Sequence, residues 1–297
     1  MCLFSYHFDR SGENTGYSHV RSLRKDKRAV APAVSTVILT AAVVVMILVA
    51  MGFANTFLDA RMAENEFSTN KRFMLTTGLQ IDDIAWTIGR TQTVRYSSQY
   101  GNMRFQSLAV NYTFEVDTGS GWETLSSNTT GMILFNIPVS TYSVSNNYFE
   151  RVMPSSNGSF LQEGPSAPVS QVFCVEKLPM IEGNYTRIVA VPSIRMLNST
   201  IEGQGSTTNY YKFYLPTLVP GYHLYRSQSI TMNGNDIAKV VMNNVNQVRI
   251  NVTFPKASLG FDEGFFNFDH ISETVALIPG SVVEFYVGKV IVTLGQV

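Results

Sequence analysis

The sequence predicts an α+β protein. A long N-terminal helix, transmembrane in its first part and amphipathic in its second, precedes an antiparallel, sandwich-like, β-rich extracellular domain. Three observations carry this reading. Ala29–Leu58 is a run of thirty residues without a charge. The apolar pattern then keeps a helical repeat as far as Ile88. From Thr91 onward, segments rich in Val, Ile, Tyr, Phe and Thr alternate with clusters of Gly, Asn, Ser and Pro. The expected boundaries are 1–29 for a basic cytoplasmic leader, 30–58 for the membrane part of the helix, 59–89 for its amphipathic continuation and 90–297 for the β-rich head.

Composition narrows the class. The chain has 297 residues, with 22 basic and 22 acidic side chains, 45% apolar and 15% charged. That length supports one or two domains with a sizeable core. The low charge excludes a disordered, solvating chain. The zero net charge gives no footing for nucleic acid, and none is expected as a partner. Two cysteines, Cys2 and Cys174, exclude a disulfide-dense scaffold and a cysteine-based zinc cluster. The balance hides an asymmetry: residues 1–29 hold six basic and three acidic groups, directly before the longest apolar run.

The first element is that run. Its densest part is Val37–Phe53, VILTAAVVVMILVAMGF. About 20 apolar residues cross a bilayer as a helix. The cluster Arg24-Lys25-Asp26-Lys27-Arg28 on its amino side predicts a cytoplasmic N-terminus. Three readings compete. A secretory signal peptide has an apolar region of about 7–15 residues; this one is longer, although Ala50-Met51-Gly52 offers a small-residue cleavage candidate. A plain single-pass anchor fits the length. The third reading uses the boundary Lys27-Arg28-Ala29-Val30-Ala31-Pro32-Ala33-Val34: a basic pair, a small residue, then a hydrophobic start with proline close behind.

This boundary resembles the class III signal of archaeal type IV pilins over about residues 24–55. The resemblance implies a membrane protein cut by a prepilin peptidase between Ala29 and Val30, with Lys27, Arg28, Ala29 and Val30 as the processing site. The apolar helix would stay on the mature chain and pack against other pilin subunits. Pro32 matches a proline common near the start of archaeal pilins, and it suits a first helical turn, where a missing N–H costs nothing. Val34 stands where bacterial pilins usually carry glutamate, and Ala29 replaces the commoner glycine. Association of apolar helices depends on close fit at small residues. Ala31, Ala33, Ser35, Ala41, Ala42, Ala50 and Gly52 supply such points. The large head implies a minor, tip or adhesive pilin, or a pseudopilin. The alternative is a single-pass surface protein whose β domain binds a ligand or envelope partner without polymerising.

The helix is expected to run from Pro32 to Ile88. Phe53, Ala60, Phe67, Met74, Ile81 and Ile88 recur every seven residues, with Phe57, Gly78 and Ala85 on an adjoining seam. No proline interrupts Ala33–Ile88, and Gly89 is the expected stop. Residues 1–20 show neither period.

In the head, the expected strands are Thr91–Tyr96, Met103–Val116, Gly131–Asn136, Ser170–Glu176, Tyr185–Val191, Tyr210–Leu215, Ser227–Met232, Gln247–Phe254 and Val282–Leu294. Strict alternation over Val248–Phe254 marks one dry and one wet face. Turns are expected at Asp117–Gly121, Ser155–Pro168, Glu202–Thr208 and Asn233–Asp236.

Six Asn-x-Ser/Thr sequons, at Asn111, Asn128, Asn157, Asn184, Asn198 and Asn251, are candidate glycosylation sites. Asn128, Asn157 and Asn198 are expected in loops. No catalytic, cofactor or metal motif is present, and the chain reads as a non-enzyme. His223, after Pro220-Gly221, reads as an exposed loop residue. Phe261–His270 mixes aromatics with Asp262, Glu263 and Asp269; the favoured reading is a loop whose aromatics dock on the core, over an oxygen-ligand cation site. Cys174, within Val172–Val175, reads as a buried, inert thiol. Trp86 and Trp122 read as core or sheet contacts.

Overall fold

A computed structural model describes residues 27–203, 206–224 and 227–295, with the side chains of 27–33, 203 and 206 outside that description. The leader residues 1–26, including Cys2, lie outside the described residues. The chain divides into two units, Met1–Asn55 and Thr56–Val297.

One helix, α1, runs Lys27–Ala85. It stops three residues short of the expected end. The N–H groups of Thr87 and Arg90 turn back to the carbonyls of Ile84 and Thr87, and Gly89 takes a positive φ of 82°. Its N–H then donates to the Gly234 carbonyl at 2.7 Å. Ile88 is left 64% exposed in this turn.

In the first unit, every described side chain from Val34 to Asn55 is exposed. The window is long and apolar enough to cross a membrane. Thr40, in its middle, donates its hydroxyl to the carbonyls of Thr36 and Val37 at 2.9 and 3.0 Å. The Thr40 hydroxyl is therefore bonded to the helix itself.

In the second unit, Ala63, Phe67, Asn70, Met74, Thr77, Ile81 and Ile84 are buried. Steps of four and three keep them on one helical stripe. The expected line Phe67–Met74–Ile81 is its centre. Ala60 and Ile88 are exposed, and the companion seam is Ala63, Asn70, Thr77 and Ile84 instead of the Phe57–Gly78–Ala85 line. Gly78 and Ala85 are also buried, at the margin of the stripe.

The strands are β1 (Thr91–Arg95), β2 (Asn102–Asp117), β3 (Trp122–Pro138), β4 (Tyr148–Met153), β5 (Leu161–Glu163), β6 (Ser170–Glu176), β7 (Tyr185–Pro192), β8 (Ile194–Gly203), β9 (Ser206–His223), β10 (Ser229–Thr253) and β11 (Ser272–Gly295). A short helix, α2 (Glu263–Phe266), precedes β11. Among the described residues they form one sheet in the order β4-β6-β7-β3-β2-β10-β11-β9-β8-β5, with β1 beside β10.

The sheet is mixed, where a purely antiparallel one was expected. β11 pairs with β9 in parallel, as does β5 with β8. The cause is the order of insertion. β10 returns antiparallel to β11, and β11 then fits between β10 and the earlier β9, so β9 and β11 share a direction.

Several expected boundaries shift. Ser227–Met232 and Gln247–Phe254 are the two ends of the single strand β10, and the expected turn at Asn233–Asp236 is a bulge within it. A Cβ on Gly234 would lie 2.5 Å from the carbonyl oxygens of Ile84 and Thr87. Glycine at this point lets the end of α1 sit directly on β10. The Asp117–Gly121 turn forms as expected, with Gly119 and Gly121 at positive φ.

Side-chain alternation gives the sheet two apolar faces. Val172 and Cys174 of β6 and Ile188 and Ala190 of β7 face the α1 stripe, with Phe135 of β3. Phe173, Val189 and Leu134 face the other way, into a second core with Tyr112, Phe114, Phe213 and Phe285. The sheet curls around this second core. The Leu218 N–H of β9 donates to Thr130 Oγ1 of β3 at 2.9 Å, although β2, β10 and β11 lie between them in the sheet.

The aromatics of Phe261–Phe268 close that core, with Phe261, Phe265 and Phe266 wholly buried. The segment holds α2 and is more regular than the expected loop. Asp262 caps α2 by accepting the Phe265 N–H at 3.1 Å and also pairs with Lys177.

Candidate functional site

The exposed helix segment from Val34 and its attachment to the β-rich unit are the features the sequence singled out. Lys27, Arg28, Ala29 and Val30 fall in the first turns of α1, with their side chains outside the described residues, as are those of Ala31 and Ala33. Ser35, Ala41, Ala42, Ala50 and Gly52 are all exposed. At about 3.6 residues per turn, Ser35, Ala42 and Ala50 share one face, and Ala41 and Gly52 another. A Cβ on Gly52 would meet nothing within 4 Å. Two close-approach faces on one apolar helix allow it to touch more than one neighbouring helix.

Within the second unit, polar contacts anchor the lower half of α1. The Glu66 carboxylate accepts the backbone N–H groups of Gln99, Tyr100 and Gly101 at 2.9 to 3.2 Å. Asn70 Nδ2 donates to the Ser97 carbonyl at 3.2 Å. The Tyr100 hydroxyl donates to Asp59 at 2.9 Å. Lys71 pairs with Glu150 of β4 at 2.5 Å, and Asp82 with Arg195 of β8 at 2.7 Å. Asp82 also accepts from Trp86 Nε1, whose ring packs edge-on against Tyr214 at 5.2 Å. The helix is thus tied to loop 97–101 and to strands far apart in the sheet.

The sequons divide by structure. Asn157, Asn184 and Asn198 are exposed, while Asn111, Asn128 and Asn251 are half-buried. Asn128 and Asn198, expected in loops, lie on β3 and β8; only Asn157 of those three is in a loop. Asn111 and Asn251 sit in a lattice of strand side chains. Thr129 donates to Asn111 Oδ1 at 2.9 Å, and Asn251 Nδ2 donates to Glu115 at 2.8 Å.

Cys174 is wholly buried, and burial pushes its thiol up to about 12. Among the described residues, no three or more His, Cys, Asp or Glu side chains are grouped to hold a metal ion. Trp122, on the hairpin between β2 and β3, lies under the Arg249 guanidinium at 4.3 Å.

His223 is the last residue of β9, not a loop residue, and its ring stacks on Phe105 of β2 at 5.3 Å. Together they line a cleft of about 450 Å³ that sequence reasoning passed over. Its residues come from β2, β3, β9, β11 and the loop before β7, so no local motif announces it.

The chain matches no protein-family model, no curated protein and no solved structure.

Proposed function

We propose that this chain is a type IV pilin-like structural subunit of a cell-surface filament, in the role of a minor, tip or adhesive pilin or of a pseudopilin. The observation that carries the reading is the uncharged, exposed helix from Val34 to Leu58, placed directly after the Lys27-Arg28-Ala29-Val30 boundary. In this reading a prepilin peptidase removes residues 1–29. The helix waits in the membrane and then exchanges lipid contacts for contacts with its own kind. Because both environments are apolar, fit at small residues decides association. The β-rich unit is read as a sandwich-like head facing outward, consistent with the positive-inside rule.

The test is the N-terminus of the native membrane-bound or sheared-surface form, by mass spectrometry. A chain beginning at Val30 supports processing and assembly. A chain retaining residues 1–29 sinks the pilin reading and leaves a single-pass surface protein whose β domain acts without polymerising.

A further inference from the structure

Five consecutive residues of β2, Asn102–Gln106, line the cleft at the end of β9. Side chains alternate between the two faces of a strand. Met103 and Phe105 belong to the face toward α1, and Asn102, Arg104 and Gln106 to the opposite face. A wall that includes all five is therefore the edge of the strand and not one of its faces. That edge is open. β3 pairs with Asn102–Gln106 on one side, and among the described residues no strand pairs with them on the other. β10 takes up β2 only from Asn111 onward. Between the two stretches the register shifts, from Gln106 to Val110, and Leu108 takes a positive φ of 55°. A bulge of this kind bends a strand and ends its pairing.

An open strand edge presents unpaired N–H and C=O groups, a template for one more strand. Five residues at about 3.3 Å each make an edge of about 16 Å. The two flanks of the cleft differ. On the α1 side, Phe105 stacks on His223 with 5.3 Å between the ring centroids, and Leu294 of the same core lies beside them. This flank is an apolar floor. On the other side, Arg104 donates to Glu182 at 2.8 Å. Glu182 also accepts from the wholly buried Arg187 at 2.5 Å, which holds the polar flank in place. The charges of Arg104 and Glu182 cancel, so this flank favours polar groups of neither sign. A strand laid along the edge turns alternate side chains to the two flanks. The cleft thus reads a backbone through its edge and an apolar–polar alternation through its flanks.

We propose that this cleft receives an extended peptide segment of a partner protein, added as a strand to the open edge of β2. Main-chain hydrogen bonds to Asn102–Gln106 supply affinity, and the unlike flanks choose the side chains. Aromatic or aliphatic residues face Phe105 and His223, and polar residues alternate with them toward Arg104 and Glu182. The inference goes beyond the filament reading and does not need it.

The test uses the full chain in detergent micelles and fluorescent heptapeptides in which Thr alternates with Val, Leu, Phe or Tyr. Anisotropy, with empty micelles as the blank, reads binding; hydrogen exchange with mass spectrometry reads its place. At least one peptide is expected to bind and to protect the amides of Asn102–Gln106. Two analogues of that peptide carry N-methyl groups on one or the other alternate set of amides. The set that faces β2 is expected to cost about tenfold or more in affinity, the scale of two lost hydrogen bonds, and the set that faces away less. His223→Ala, at an exposed position, is expected to weaken binding by about threefold or more, the scale of a lost ring contact. Trp122→Ala, outside the cleft, leaves it unchanged. Four results each overturn the inference: none of the peptides binds, both N-methylated analogues bind like the parent, His223→Ala binds as tightly as wild type, or protection appears elsewhere and not on Asn102–Gln106. Leu197–Gly203 of β8, which pairs with β9 on one side only, is the built-in comparison. Binding is read on unassembled chains, so leader cleavage and filament formation do not enter the result.

Discussion

The Ser170 hydroxyl donates to the Gly78 carbonyl at 2.8 Å, joining the buried face of α1 to β6 through a wholly buried contact. This contact exists because Gly78 has no side chain. A Cβ there would lie 2.8 Å from Val172 Cγ2, 3.0 Å from Met153 Cε and 3.1 Å from Ser170 Oγ. Helix and strand meet at a distance only glycine permits.

Gly78→Ala therefore sets helix propensity against overpacking. Alanine gains about 1 kcal/mol as a helix former, while forcing a methyl into a filled core costs about 1–3 kcal/mol. Gly78→Val adds further bulk and loses most of the propensity gain. The expected order of thermal midpoints is wild type, then Gly78→Ala, then Gly78→Val. A more stable Gly78→Val would show that the α1–β6 contact yields freely.

Cys174 is expected to be silent to thiol reagents in the folded protein. Burial holds the thiol protonated, up to about 12, and only the thiolate is nucleophilic. The check is reaction of a Cys2→Ser chain, whose one thiol is Cys174, with Ellman's reagent at pH 8, native and in guanidinium. Labelling at equal rates in both would contradict the buried placement.

Acid is expected to loosen loop 139–147. Burial alone would raise the pKa of Glu176, but bonds from the Thr186 and Ser143 hydroxyls and from the Val144 and Ser145 N–H groups outweigh it, so the value falls below the usual carboxylate range. A carboxyl with a lower pKa folded than unfolded stabilises the fold fully above its unfolded value. That contribution is lost as pH falls through the folded value. The protection of the Ser143–Ser145 amides, measured as exchange relative to the intrinsic rate at each pH, should fall in that acid window, and Glu176→Gln should remove this pH dependence at a cost in stability at neutral pH. Protection that is flat with pH in the wild type would remove Glu176 as the clasp.

Replacing Ala41 and Ala42 together by Phe is expected to cut filament yield while membrane insertion persists. Both side chains are exposed on the apolar helix, and the pair spans its two small-residue faces. Phe is favourable in lipid but bars close helix approach. The readouts are sheared-surface protein and membrane fractionation. Normal filament yield from the double variant would refute packing at these faces.

The helix and its core-facing line were legible because apolar residues keep a helical period through Phe67, Met74 and Ile81. The second seam was hidden by Asn70 and Thr77. Both are buried yet bonded close by, Asn70 to the Glu66 and Ser97 carbonyls and Thr77 to the Phe73 carbonyl. A polar side chain that satisfies itself locally breaks a hydropathy pattern without breaking the packing. The short strands of the head were legible from β-branched and aromatic runs, but not their pairing. Nothing near Tyr210 announces that Val282 lies beside it in parallel. The cleft stayed hidden for the same reason: Asn102, Glu182 and His223 meet only after five elements have found their places.

The parallel ladder of β9 and β11 also sets a schedule. β9 has β8 on one side, available as soon as it is made, but its other side waits for β11, with the whole of β10 synthesised in between. β10 likewise lacks its longest partner until β11 emerges. Pairings so distant along the chain form slowly, because the ends of a long loop must meet first. While β11 is still missing, the centre of the sheet has a gap that no earlier strand fills. A chain made from its amino end thus stays pliant through most of its synthesis and locks only when its final described strand arrives.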